Sequence, residues 1–412
     1  MMMAMMLVAS ATAFAGDSDA LKAILKAKDY SEAESLLKSN LSQLANDAEK
    51  AKAYNKLVDL AYAIYEEQDK IRTTNMVMKK DDPVDMDAMI QGGKNALQAA
   101  MECDKYDQMP NEKGKVAPKF HDKNQARTLS LRLALLQATE KLVNDKKSKE
   151  AFEIFDTYLT SAKSPFFKGV KEVENDPNQG YAAYYGGLSA LQIENYVKAK
   201  EFFKLGVRDT NKAISEYSLG NLLQSMKDGV KSAADSANYI NELIELNKDF
   251  SDKEKVYAFL SEAYMNNGET SKVLSLADDR LAKFPESSLP RVYKGIIYQN
   301  EHKFDEAIAE YNKVKEDDDI IYKQCVLNRA ICKWNQARDL NELKADPRTG
   351  KVKDEDAAKI KEILNSSQLD FEKVKELDPE NTLRWAYLLH NVYTQTGQKE
   401  KADELGKAFN IE

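Results

Sequence analysis

The residues able to do chemistry in this 412-residue chain are few and scattered. Three histidines, His121, His302 and His390, sit in separate segments. None has the H-x-x-x-H or H-E-x-x-H spacing that would put two imidazoles on one helical face for zinc. Of the three cysteines, Cys325 and Cys332 are seven residues apart. On a helix that spacing shares a face but separates the thiols by about 10 Å, beyond disulfide reach. Cys103 has no evident partner, so buried thiols are the expected state. Gly92-Gly93-Lys94 has the residue types of a phosphate loop but not its spacing, and no strand precedes it. Glu316-Asp317-Asp318-Asp319 concentrates carboxylates without the alternating ligand positions of a calcium loop. With 68 acidic residues, neighbouring carboxylates arise by chance, so no paired-carboxylate hydrolase is indicated. The expectation is no catalytic residue, no metal, no cofactor and no enzyme activity.

What the chain does have is a repeat. Tyr257, Leu260, Tyr264, Gly268 and Pro285 form one copy; Gly295, Tyr298, Phe304, Ala307 and Tyr311 follow in phase. Tyr264 and Tyr298 occupy the same place in their copies, 34 residues apart. Small residues at Gly295 and Ala307 would let two helices approach closely, and Tyr298 and Tyr311 would fill the space between them. Pro285 suits a helix end, because proline cannot continue the helix.

Weaker units extend the pattern in both directions. Helical periodicity is read at Ala48 to Gln68, with Tyr54, Leu57, Ala61 and Tyr65 as its stripe, and at Asp87 to Cys103. It recurs at Gln125 to Val143, Lys149 to Leu159, Tyr181 to Ile193, Lys212 to Met226 and Ala233 to Leu246. After the strong copies come Ile320 to Leu343, Asp356 to Leu377 and Leu383 to Thr394. Insertions at Met76 to Val84, Asp104 to His121, Ala162 to Gly180 and Ala345 to Asp354 break the phase. Two of them share a turn-like string, Asn111-Glu-Lys-Gly-Lys-Val and Asp346-Pro-Arg-Thr-Gly-Lys-Val, and are expected as excursions between the two helices of a unit. Only 16 glycines and 9 prolines argue against an all-β fold and against long disordered stretches. The net charge of −8 and the lack of a basic patch with interleaved aromatics argue against nucleic acid.

The first residues read as a targeting segment. Met1 to Ala15 is apolar and ends in Ala13-Phe14-Ala15, an A-x-A cleavage pattern, before polar Gly16-Asp17. No Lys or Arg precedes it, so the natural start can lie upstream; the alternative is an apolar N-terminus on a cytoplasmic protein. A periplasmic or secreted location after cleavage near Ala15 is expected. No later run approaches the ~20 apolar residues of a membrane span.

The repeat resembles the tetratricopeptide (TPR) family, whose units of about 34 residues carry W-x2-L-G-x2-Y, A-x3-F and a terminal proline. It is specific over about 255–314 and weaker elsewhere. With the export signal and the wealth of tyrosine and lysine, the chain is similar to exported, periplasmic TPR proteins of Bacteroidetes. The resemblance implies an all-α, right-handed TPR-like α-solenoid of about six to seven helical hairpins with loop insertions. It implies a signal peptide at 1–15, degenerate hairpins at 16–253 and better-defined units at 254–412.

In the family, the first helix of each unit lines a groove that takes a peptide or partner segment. Carried onto this chain, the groove would hold Tyr181, Tyr184, Lys255, Asn266, Asn300, Lys333, Trp334, Arg384, Tyr387 and Asn391. Trp334 either faces the groove or packs on a neighbouring helix. The lysine and asparagine that clamp an acidic chaperone tail are replaced by Ala258 and Glu262, or Val292 and Ile296, so that ligand does not transfer. The function expected is a non-catalytic scaffold or adaptor binding a protein or peptide of the cell envelope. The alternatives are a glycan- or peptidoglycan-handling protein, enzymatic or not, separable by melting shifts across a glycan panel, and a self-assembling solenoid, separable by light scattering.

Overall fold

The computed structural model describes residues 16–111, 113–316 and 319–411. The expected signal segment, and Asp317 and Asp318 of the acidic run, lie outside them. Every regular element among the described residues is a helix. The chain divides into two compact units, Met1–Gly229 and Val230–Glu412.

The first unit contains α1 (Asp19–Lys26), α2 (Tyr30–Asn40), α3 (Asp47–Met78), α4 (Met86–Asp107), α5 (His121–Asn144), α6 (Ser148–Ala162), α7 (Lys171–Glu174), α8 (Gln179–Gln192), α9 (Tyr196–Gly206) and α10 (Lys212–Asp228). Neighbours in sequence pack as hairpins: α1 with α2, α3 with α4, α5 with α6, α8 with α9. Polar side chains start them. Ser18, Asp29, Asn46, Asp85 and Asn195 each accept a hydrogen bond from a backbone N–H in the first turn of α1, α2, α3, α4 and α9.

Two insertions differ from the sequence expectation. α3 runs on to Met78 rather than ending at Gln68, because no glycine or proline interrupts it. It stops where Lys79 turns left-handed (φ 53°) and the Asn75 side chain bonds both N–H and C=O of Asp82. The stretch between α6 and α8 is packed. Phe166 and Phe167 are buried there, and Asp176 accepts bonds from Tyr158 Oη at 2.5 Å and the buried Arg132 guanidinium at 3.3 Å.

The second unit contains α11 (Ala233–Asp249), α12 (Glu254–Asn266), α13 (Thr270–Lys283), α14 (Ser288–Asn300), α15 (Phe304–Tyr311), α16 (Asp319–Lys344), α17 (Asp354–Leu377), α18 (Ala386–Thr396) and α19 (Lys399–Phe409). Here the hairpins are α12–α13, α14–α15, α16–α17 and α18–α19, and the leading helices α12, α14 and α16 touch in series. The repeat residues pack as their spacing requires. Ala307 is fully buried, and a Cβ on Gly295 would run into the Tyr311 ring. In the first unit, a Cβ on Gly187 would lie 2.6 Å from Phe203 Cε1. Tyr311 is 1% exposed, and burial of its ring is worth on the order of 4 kcal/mol before ordering costs. Pro285 follows the end of α13. All three cysteines are free and buried, and burial pushes the Cys103 and Cys332 thiols up to about 12.

Candidate functional site

The ten groove positions fall on both units, and their surroundings differ. In the first, Tyr181 and Tyr184 lie on α8, one turn apart. They belong to a ladder of rings. Tyr181 packs on Tyr185 with centroids 4.5 Å apart, Tyr185 on Tyr184 at 5.0 Å, and Tyr184 on Tyr217 of α10 at 6.1 Å. Tyr181, Tyr184 and Tyr185 are half-buried, whereas Tyr217 is 61% exposed. The small Gly186 and Gly187 and the buried Ala182 and Ala183 let α8 sit close to its neighbours, which leaves the large rings on one flank. Burial raises the Tyr181 and Tyr184 phenols above their usual value, so both stay neutral hydrogen-bonding rings at physiological pH. Tyr185 and Tyr217 were outside the sequence-derived set. The i, i+3, i+4 spacing of Tyr181, Tyr184 and Tyr185 was the available signal for the first; Tyr217 comes from another helix, α10.

In the second unit two of the charged positions, Lys333 and Arg384, are anchored. Lys333 reaches Asp370 of α17 at 2.7 Å, and Arg329 forks onto the same carboxylate at 2.9 and 2.5 Å. Asp370 is 7% exposed, so two cations close one buried acid and tie α16 to α17. Trp334 is half-buried against two apolar clusters, one with Val326, Phe371 and Trp385, the other with Ala337, Ile360 and Leu364. The Arg338 guanidinium lies 5.7 Å from its ring. Of the two placements open to Trp334, packing describes this environment.

Arg384 does not share a helix with Tyr387. It ends a 3-10 turn, Thr382–Arg384, ahead of α18. The cause is Trp385, which is buried and donates its indole N–H to Asp378 C=O at 3.0 Å. That anchor breaks the helix expected from Leu383. Arg384 itself donates to Asp378 and to Gln324 of α16. Lys255, Asn266, Asn300 and Tyr387 are exposed, and Asn391 is half-buried.

Residues set aside for chemistry stay apart. His121 Nδ1 is 2.7 Å from Asp104, and His302 Nδ1 is 2.9 Å from Asp339, in different units. Gly92-Gly93-Lys94 lies inside α4, with Lys94 bound to Glu153 at 2.5 Å. Among the described residues no group of three or more His, Cys, Asp or Glu could hold a metal, and no helix is long and apolar enough to cross a membrane.

The fold defines an all-α protein of consecutive helical hairpins. No family model matches the chain, and no curated protein matches it. One solved structure that it matches is that of Naa15/Naa10 bound to HypK-THB, at 13% identity and a TM-score of 0.28. The match covers 95% of this chain and 62% of that one, so the chain spans less than two thirds of its length. A superposition that loose carries no argument, and the architecture rests on the hairpins themselves.

Proposed function

We propose that this chain is a non-catalytic, TPR-type scaffold of the bacterial periplasm, of the exported Bacteroidetes kind, that binds a segment of a cell-envelope protein. The carrying observation is the tyrosine ladder, whose outer ring, Tyr217, stays wet on a helix already buried on its other side. Rigid, amphipathic rings of this sort supply contact area at low entropic cost. Exposed Tyr387 supports the same reading in the second unit. Arg384 and Lys333 are poor test positions because they anchor the fold.

The test immobilises the chain from Asp17 and exposes it to envelope extract beside Tyr184→Ala/Tyr217→Ala and Tyr387→Ala variants. A protein held by the parent and lost from a variant of unchanged helicity is the expected outcome. Equal retention by both variants would sink the assignment. The ladder also suits sugar rings. Melting shifts across a glycan panel, with no protein retained, would favour that second reading.

A further inference from the structure

The connection between α4 and α5, residues 108–120, carries Lys113, Lys115 and Lys119, while Glu112 lies outside the described residues. The connection was expected as an excursion inside a unit; it lies between two hairpins instead. Its ends are fixed. Asp107 accepts hydrogen bonds from the backbone N–H groups of Lys119, Phe120 and His121 at 2.7 to 3.0 Å, which also starts α5. The Asn111 side chain accepts from Lys113 N and Lys115 N, with Gly114 at φ +71° completing the turn.

Between this connection and the α3–α4 hairpin is a recess of about 620 Å³. Ala51 and Tyr106 line it from the helices, and Met109 from the connection. Lys113, Lys115, Ala117 and Lys119 also line it, while Gly114, Val116 and Pro118 do not. Beyond the turn, from Lys115 to Lys119, alternate residues face one side, the signature of extended backbone. The Tyr106 wall is firm: its ring stacks on Tyr54 at 5.6 Å, nearly parallel.

Charge decides what fits. The carboxylates at the recess are already satisfied: Asp47 by Lys50 at 2.9 Å, and Asp107 by the three backbone N–H groups. Lys52 is paired with Asp17. Lys113, Lys115 and Lys119 form no ion pair among the described residues. Three ammonium groups thus border a partly apolar hollow in a chain of net charge −8. A small anion would leave the apolar part of the lining, Ala51 and Met109, uncovered. Past the turn, Lys115 and Lys119 are four residues apart, about 13 Å along an extended chain, the spacing of every fourth side chain of an extended peptide.

We propose that this recess docks an extended acidic peptide segment of the partner, with carboxylates at alternate positions and an apolar residue set against Ala51 and Met109. The assignment rests on the scaffold reading but uses a surface separate from the tyrosine ladder's residues. The probe is a fluorescein-labelled heptapeptide with glutamates at alternate positions and a central leucine, titrated into the full chain. Saturable binding is expected, weakening as salt rises. It should weaken about tenfold or more in Lys113→Glu/Lys115→Glu and survive in Lys113→Arg/Lys115→Arg. Both positions are exposed and hold their turn through backbone groups, so melting temperature should not move. No binding, equal binding of the glutamine-for-glutamate peptide, full displacement by an acidic oligosaccharide at equal charge, or indifference to the charge reversal would each overturn the proposal. If envelope capture persists while the peptide fails, the scaffold reading stands and this recess falls.

Discussion

Asp370 shows how a charged position that looks free in sequence becomes structural. Its carboxylate is buried and closes Arg329 and Lys333 together, so removing it strands two partly buried cations. Breaking a buried pair from one side costs about 3 to 5 kcal/mol, because the charge left behind keeps its desolvation penalty. Asp370→Ala is therefore expected to destabilise the second unit by about 3 kcal/mol in urea unfolding. A loss under 1 kcal/mol would show that the triad is solvated and Lys333 available. Gly295 makes the opposite point. Its role in admitting the Tyr311 ring was legible from a two-residue pattern, because close packing leaves no other residue type room.

At the scale of the element, the two turns with similar strings have the same construction. Asp346 accepts N–H bonds from Thr349 at 2.8 Å and Arg348 at 2.9 Å, with Gly350 at φ +68°, as Asn111 does with Lys113 and Lys115. The second turn lies within the α16–α17 hairpin as expected; the first does not. The N–H groups of Thr349 and then Arg348 hold the Asp346 carboxyl below its ordinary value of 3.8. A lowered folded value means the bonded turn is favoured fully above 3.8, and that preference is lost as pH falls through the lower folded value. The amide resonances of Arg348 and Thr349 should thus titrate with a midpoint below 3.8. A midpoint at or above it would contradict the hydrogen-bonded turn.

At the scale of the molecule, each unit has buried apolar clusters of its own. The large core from Leu21 to Phe202 belongs to the first unit, and those built on Val292, Val326 and Ala337 belong to the second. Stacked hairpins draw stability from their neighbours rather than from one central core. Residues 230–412 expressed alone should therefore retain helical circular dichroism and unfold cooperatively. A non-cooperative or unfolded product would show that the second unit depends on the first.

Sequence alone determined the helical class, most hairpin partners, the close-packed Gly295–Tyr311 contact and the turn at Asp346. Each is a local or periodic property, written in side-chain volume, helical spacing and positive φ, and so survives without tertiary information. Tertiary structure decided which candidate side chains were left exposed. Lys333 was consumed by Asp370, 37 residues away in sequence, and Arg384 was displaced from its helix by the burial of Trp385. Tyr217 was brought to Tyr184 from another helix, and Lys113, Lys115 and Lys119 were gathered beside Tyr106. Those outcomes depend on which distant groups meet across packed helices, and periodicity carries no record of that.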